Sequence, residues 1–438
     1  MWKWNKEEKQ ALRNITNVLF NKDNIEKLKV INTIFKKSTI LALVIKSFLR
    51  NETWIDYLLH SLDPYKIKER FQKELSNYFY PIVTTVTDSL DFISIVVLQH
   101  DISNEKSIER QIELFEEKII SFFLSDDYLG QIKQHFKAFR NPFEDFFGFS
   151  VGYAVVNSPN DESVINALKI AIKNAEVRKK LKLNKLTMEF FEILNRNKLE
   201  SHFQPIVDIK DKKIYAYEAL VRGPEESKLR NPSLLFKIAS LNDLEFELDN
   251  LTRKIHLYNF KTILKENKKA KLSINLGPSA LLFADRVVKD FKNNGISGDQ
   301  VICEISESTF IEDFSAFFNA IEFLNSEGYM VALDDFGAGG ATFKIILSEN
   351  VSIVKIDRSL SRAIEFSRPN TFFLRELLPI MQNSNKAVII EGIETEDQLK
   401  LLLDMGYRYY QGFYFAKPSS KPVDIKFMTE KFGKQITN

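Results

Sequence analysis

Six short apolar runs in the second half of this 438-residue chain each end on an acid, an amide or a lysine. Tyr215-Ala216-Tyr217 ends on Glu218, Lys271-Leu272-Ser273-Ile274 on Asn275, and Val301-Ile302-Cys303 on Glu304. Tyr329 to Leu333 ends on Asp334 and Asp335, Ile353-Val354 on Lys355, and Val388-Ile389-Ile390 on Glu391. An ion taken out of water costs several kcal/mol unless something pairs with it, so buried strands rarely end on carboxylates by accident. Several acids gathered in one place repel one another and call for a cation. All-oxygen ligands select a hard ion such as Mg²⁺ or Mn²⁺. With five histidines and one cysteine in the chain, a zinc site of the His/Cys kind is disfavoured. Two adjacent aspartates suit a bridged metal pair about 3.5–4 Å apart, the arrangement used for in-line attack at phosphorus, and Lys355 adds a cation to orient water or a phosphate oxygen.

Singly, each of these residues has an ordinary explanation. One acid after a strand can cap a helix or pair with a base. The Gly337-Ala338-Gly339-Gly340 run reads as a flexible turn, and Glu307 and Glu394 read as first-turn helix acids. The argument lies in the recurrence at strand ends.

Elements must hold these ends together. His202 to Ile209 and Lys213 to Val221 read as two strands joined by a three-residue turn, hence a hairpin. Strand-like runs follow near 271–276, 301–305, 329–334, 351–356, 386–391 and 408–413, separated by helical periodicity such as Phe314, Phe317, Phe318, Ile321 and Leu324. Such alternation predicts an α/β fold, either a closed (β/α) barrel or an open doubly wound sheet. An open sheet gathers its site at one switch point, whereas a barrel draws on nearly every strand end, as here. The barrel is expected over 201–432, preceded by a helical segment over 1–60 (Ala11, Ile15, Val18 and Leu19, then Ile25, Leu28 and Ile31), a small α/β domain over 61–180 and a helical connection over 181–200. In the small domain, 64–79 and 108–123 read as helices, with strands at Phe92–Leu98 and Phe149–Val156 and a closing helix over 161–180.

Composition narrows the function classes. Lys+Arg 61 against Asp+Glu 59 leaves +2, so bulk charge gives no ground for a nucleic-acid or membrane partner. The basic run at 178–185 lacks the interleaved aromatics of a nucleic-acid patch and reads as a solvated helix face. Cys303, alone in the chain, excludes an internal disulfide and fits a cytoplasmic protein with a small core thiol. The start of the chain has no apolar leader segment, and Ile40–Leu49, which carries Lys46, falls well short of the roughly twenty residues a bilayer requires.

The residues then match a known family. FQPIVDI at 203–209, YEALVRG at 217–223, SINLGPS at 273–279, CEISES at 303–308, DDFGAGGATF at 334–343, VKIDRS at 354–359, EGIETEDQL at 391–399 and YQGFYFAKP at 410–418 stand in order. Over roughly 190–430 the chain closely resembles the EAL domains, bacterial phosphodiesterases that cleave cyclic di-GMP. The resemblance implies a TIM-like (β/α)8 barrel with an antiparallel first strand and a Mg²⁺ or Mn²⁺ pair. Glu218, Asn275, Glu304 and Asp334 would bind one metal, and Asp334, Asp335 and Glu391 the second, with Asp334 bridging. Lys355, Gln411 and Glu391 would take catalytic roles, Lys355 and Gln411 by placing water or phosphate. Glu307 would anchor the 336–343 loop, whose closure in the family is coupled to metal binding and dimer contacts. Gln204 and Arg222 match substrate-contacting positions, Arg222 through phosphate, as its planar fork suits. A homodimer through the barrel is implied. Two departures stand out: Gly223 replaces a usual aromatic, and GAGGATF replaces GTGYSSL.

The first domain faintly resembles GGDEF, or diguanylate cyclase, domains. LDPYKIKERF at 62–71 matches an opening helix, FISIVVLQHDISN at 92–104 the metal-bearing first strand and SVGYAV at 150–155 a late strand. The hairpin at Leu124–Tyr128 lacks both signature glycines, so a backbone approach to a triphosphate is lost and the domain reads as degenerate. The expected function is a metal-dependent phosphodiesterase yielding linear pGpG, with a regulatory first domain open to GTP or a protein partner. The alternative is a non-catalytic cyclic di-GMP receptor signalling through a partner protein.

Overall fold

The computed structural model describes residues 39–47, 64–86, 92–98, 105–123, 149–157, 161–306, 314–337, 343–346 and 348–423. Glu307, the 338–342 part of the glycine-rich loop, the 124–128 hairpin, the helical pattern at 11–31 and the end of the expected barrel at 424–432 lie outside them. The chain divides into two compact units within one long helix, between Leu186 and Thr187. No helix among the described residues is long and apolar enough to cross a membrane.

The first unit runs β1 (Ile40–Ser47), α1 (Pro64–Leu75), β2 (Phe79–Val86), β3 (Phe92–Leu98), α2 (Glu105–Phe123), β4 (Phe149–Val155) and the start of α3 (Asp161–Asn195). Its antiparallel sheet has the order β2-β3-β1-β4. Three sequence expectations change here. The helix expected over 64–79 ends at Leu75, and Phe79 opens the unforeseen strand β2. Ile40–Ser47, inside the stretch expected to be helical, is the inner strand β1. ILALVIK is apolar without alternation, so its periodicity does not separate a buried strand from a helix. Phe92–Leu98, matched to a first strand, is the third. Alternation along it sends Ile93, Ile95 and Val97 against Val164, Ala167, Leu168 and Ala171 of α3. On the opposite face Phe92 stacks on Phe71 of α1 at 4.1 Å, with Phe115 of α2 edge-on to Phe71.

The second unit is a closed eight-stranded barrel. β5 (Glu200–Asp208) and β6 (Lys213–Arg222) form the predicted hairpin and lead to helices α4 (Pro232–Ser240) and α5 (Glu245–Glu266). Then come β7 (Leu272–Asn275), α6 (Pro278–Leu282), α7 (Ala284–Asn293), β8 (Val301–Ser306), α8 (Phe314–Ser326), β9 (Met330–Phe336) and α9 (Phe343–Ile346). β10 (Ile353–Ile356), α10 (Arg358–Ala363), α11 (Arg368–Asn383), β11 (Ala387–Ile390), α12 (Glu396–Asp404) and β12 (Tyr409–Tyr410) complete it. All neighbouring strands are parallel except β5, which is antiparallel to both β6 and β12. β12 is far shorter than the 408–413 expected. Past it, Phe203 exchanges backbone hydrogen bonds with Ser419 at 2.8 and 3.1 Å, so the chain after β12 closes the seam beside the upper half of β5. The main core lies between barrel and helices and includes Leu257, Phe260, Phe291 and Cys303. Burial raises the Cys303 thiol pKa and leaves it an inert core residue.

Candidate active site

Alternate side chains of each strand point into the barrel. Ile206, Ala216, Ile302, Ala332, Ile353 and Ile389 fill the lumen as one buried apolar cluster, with Tyr215 and Tyr409 packed against it. Two residues further along the parallel strands stand Glu218, Glu304, Asp334, Lys355, Glu391 and Gln411. On the antiparallel β5 the same step runs backward, from Ile206 to Gln204. The polar layer therefore sits on an apolar plug that denies it water from below. Glu304 and Lys355 are fully buried.

Lys355 is the hub. Its Nζ lies 2.7 Å from Glu391 Oε1, 2.8 Å from Glu304 Oε1, 3.1 Å from Asp334 Oδ1 and 3.5 Å from Glu218 Oε2. Gln411 Nε2 donates to Glu218 Oε2 at 2.5 Å and to Gln204 Oε1 at 3.1 Å. Asn275 Nδ2 donates to Glu218 Oε1 at 3.2 Å, and Ser273 Oγ to Glu304 Oε1 at 2.6 Å. Gln204 Nε2 is tied to the carbonyl of Ala416 at 3.0 Å, in the seam-closing segment. Gly412 keeps Gln411 in place: a Cβ there would lie 2.3 Å from Ile393 N, so only glycine lets that backbone approach. Asp335 takes a left-handed φ of 57°, and its N–H donates to Asp334 Oδ1 at 2.9 Å.

Two triads of carboxylates each bring one oxygen per residue within 4.8 Å of the others: Glu218, Glu304 and Asp334, and Asp334, Asp335 and Glu391. Asp334 belongs to both. Burial raises the pKa of Glu304 and Glu391 well above the usual carboxylate range, Glu218 adding to the first and Asp334 to the second. Burial also works against ionised Glu218, but Lys355 and the hydrogen bonds from Gln411 and Asn275 outweigh it and leave its pKa lowered. Burial opposes the Lys355 charge in turn; Asp334, Glu218, Glu304 and Glu391 together hold its pKa well above the usual value. Lys355 is thus a protonated cation among more negative charges than it can neutralise. Glu304 Oε2 is buried and accepts no hydrogen bond among the described residues. An orphaned carboxylate oxygen beside two converging triads fits a hard divalent cation.

A cavity of about 250 Å³ opens over this cluster, lined by Gln204, Glu218, Asp334 and Gln411 and also by Arg358 and Phe413. Arg222 stands apart from that lining, at the end of β6. Ser273, Arg358 and Phe413 lie inside quoted motifs but carried no signal of their own in the sequence. Ser273 was recoverable, since it shares strand parity with Asn275. A larger groove of about 850 Å³ between the end of α3 and α5, bordered by Phe191, Leu251 and Tyr258, holds no converging acids.

The EAL domain family matches residues 183–418, more than half of the sequence. This chain belongs to the EAL domain family. Its EAL domain is 29% identical over 179 residues to the probable cyclic di-GMP phosphodiesterase PdeA of Escherichia coli, covering 39% of this chain and 25% of PdeA. It is also 29% identical over 219 residues to the blue light- and temperature-regulated antirepressor BluF of the same organism, covering 49% of this chain and 53% of BluF. Among the curated relatives that match, including two at 35% and 36%, the shared stretch is about half of the relative's length or less. The EAL enzyme Bd1971 in its cGMP-bound form superposes with a TM-score of 0.51 at 22% identity, over 65% of this chain and 82% of its own, a likeness of fold.

Proposed function

We propose that this chain is a metal-dependent phosphodiesterase that opens cyclic di-GMP to linear pGpG. One observation carries the reading: two carboxylate triads sharing Asp334 converge around a buried Lys355, on the mouth side of an apolar plug, with no acid of the set missing. Glu218, Asn275, Glu304 and Asp334 would hold one divalent cation, and Asp334, Asp335 and Glu391 the other, Mg²⁺ or Mn²⁺ by their hard oxygen donors. Bound there, the pair would lower the pKa of a water and neutralise charge developing on the phosphate.

The chain's own groups do the rest. Lys355 stays protonated and fixes the carboxylates in one arrangement, and the layer of Ile302, Ala332, Ile353 and Ile389 excludes water from below. Gln411 and Gln204 form an amide pair that orients Glu218 and offers neutral polar atoms to an anionic substrate. Preorganised dipoles in a dry site need little reorganisation as charge develops. The test is incubation of the full chain with cyclic di-GMP and Mg²⁺ or Mn²⁺, with product chromatography. Turnover to pGpG is expected, falling by orders of magnitude in Glu218→Ala and Asp334→Asn; retained activity in Glu218→Ala would overturn the ligand assignment. The likeness to an antirepressor favours one second reading, a receptor that binds cyclic di-GMP and signals to a partner. Tight binding without product in the presence of metal would select it. We place the first unit in a regulatory role in either case.

A further inference from the structure

We propose that the exposed face of α3 between Ile170 and Lys185 docks an acidic amphipathic helix of a partner protein, the two lying side by side as a coiled coil. This goes beyond the proposed function and stands whether or not the barrel turns over cyclic di-GMP.

One face of α3 is already used. Val164, Ala167, Leu168, Ala171 and Ala175 pack into the core of the first unit, and Ser150 Oγ donates to the Ala175 carbonyl at 2.8 Å. Gly152 permits that close packing, since a Cβ there would lie 2.0 Å from the Ala171 carbonyl oxygen. A surface helix ordinarily turns polar on the side away from such a face. Here a second apolar stripe stands out instead: Ile170, Val177 and Leu181 are exposed at 53%, 45% and 61%.

The spacing of the stripe is regular. Steps of seven and then four residues set these three side chains on one line down the helix. Asn174, which donates to the Tyr153 carbonyl at 3.0 Å, and Asn184 fall at the remaining positions of the same three-and-four repeat, both exposed. From Ile170 to Asn184 the line runs about 21 Å at 1.5 Å per residue. All of it lies in the part of α3 that belongs to the first unit. An apolar three-and-four line with an occasional asparagine is the seam of a two-stranded coil, where the amide fixes register.

Charge decides the occupant. Between Lys169 and Lys185 the chain carries seven basic residues against one acid, Glu176. By the helical repeat, Lys173 and Lys180 flank the stripe on one side and Arg178 and Lys185 on the other. Lys173 pairs with Glu176 at 3.4 Å and Arg178 with Glu109 at 3.2 Å. Lys180 and Lys185 have no carboxylate within ion-pair distance among the described residues. A second copy of α3 would set lysine against lysine in either orientation, which opposes pairing. A lipid surface calls for a broad apolar face, whereas this stripe is narrow and broken by two asparagines. A helix with apolar residues on its seam and Glu or Asp beside them meets both the stripe and its basic flanks.

Fluorescence anisotropy of a labelled synthetic peptide against the full chain tests the docking. The peptide carries heptads with Ile and Leu on the seam and Glu at both flanking positions; its counterpart carries Lys there. Saturable binding of the Glu peptide is expected, weakening as salt rises, with none of the Lys peptide. Leu181→Asp, at an exposed site, should leave the melting temperature in place and weaken binding by at least about tenfold. Lys180→Glu combined with Lys185→Glu should reverse the preference between the two peptides. An unchanged preference in that double variant would show that charge does not select the partner, and would overturn the proposal. So would no binding of the Glu peptide to the unmodified chain, or self-association of the chain that Leu181→Asp abolishes. Capture of the chain by phosphatidylserine vesicles through Leu181, in place of the peptide, would overturn it in favour of a membrane.

Discussion

Replacing Lys355 by Met keeps much of its length and removes its charge. At an effective dielectric of about 20, each contact near 3 Å carries roughly 5–6 kcal/mol of gross attraction, and three of the four acids sit at 2.7, 2.8 and 3.1 Å. The net effect is smaller, because orphaned carboxyls take up protons; breaking a buried pair costs about 3–5 kcal/mol. For a barrel of this size that predicts a drop in Tm of roughly 6–20 °C. The pH dependence has a definite sign. Glu304 and Glu391 have folded pKa values raised above the unfolded ones, so their protonated forms add stability at low pH that is lost as pH rises through the folded values. Without Lys355 that loss deepens, and the gap between variant and parent should widen from acidic to alkaline pH. Mn²⁺ should restore more stability to Lys355→Met than it adds to the parent, since the acids then lack their internal cation. Calorimetric melts in EDTA and in Mn²⁺ at acidic and alkaline pH read all three effects. A variant that melts within about 2 °C of the parent in EDTA at the higher pH would refute the hub role.

Other outcomes follow from single contacts. Gly412→Ala forces the Gln411 turn off the Ile393 backbone, an overpacking of about 1–3 kcal/mol; a fall in Tm accompanied by weaker cyclic di-GMP binding is expected. Asp249 is held near a pKa of about 6 by burial while its Oδ2 accepts from the Gly277 N–H at 3.2 Å. Its folded pKa is raised, so its stabilising effect is present below the unfolded value and lost as pH rises through about 6. Asp249→Asn should therefore gain up to about 3 kcal/mol over the parent in urea melts at neutral pH and little in acid. His256, buried against Ser201 at 2.6 Å, has the opposite sign: burial lowers its pKa to about 3, so stability is lost as pH falls below the unfolded value. His256→Gln should flatten the acid limb of the Tm profile between about pH 6.5 and pH 4.

How far the sequence speaks depends on the range of the forces involved. The strand ends were readable because burial gives alternation a fixed period, and an acid two residues past a lumen isoleucine stands out against it. The hairpin of β5 and β6 was readable from its short turn. Ile40–Ser47 was not, because Leu41, Ala42, Leu43, Val44 and Ile45 are buried on both faces of the sheet and leave no polar face from which to infer a period. Nor was the brevity of β12, since closure there falls to the Phe203–Ser419 bridge, a contact between residues far apart in the chain. Positioning groups such as Ser273 and Gly412 act through single hydrogen bonds or close approaches that leave no periodic trace. Arg222 was picked out by type and motif, yet its separation from the acids appears only once β6 is laid out in space.

The reversed direction of β5 divides the mouth of the barrel into two electrostatic sectors. Parallel strands β6, β8, β9 and β11 deliver Glu218, Glu304, Asp334 and Glu391 at their C-terminal ends. β5 meets the mouth with its N-terminal end, where it places Gln204 in the polar layer and Glu200, already tied to Arg230, beyond it. β12 adds Gln411 beside Gln204. One side of the cavity is therefore acidic and suited to cations, while the other, at Gln204 and Gln411, is neutral. A phosphodiester approaching over the acids would be repelled unless cations were already there. Approaching across the amides, it meets no unpaired negative charge until it reaches the metal-binding oxygens. This asymmetry predicts that Gln204→Glu, which barely changes shape, should weaken cyclic di-GMP binding far more than Gln204→Ala, which removes the contact without adding charge. Equal losses in the two variants, measured by calorimetry, would show that the neutral sector contributes contact alone.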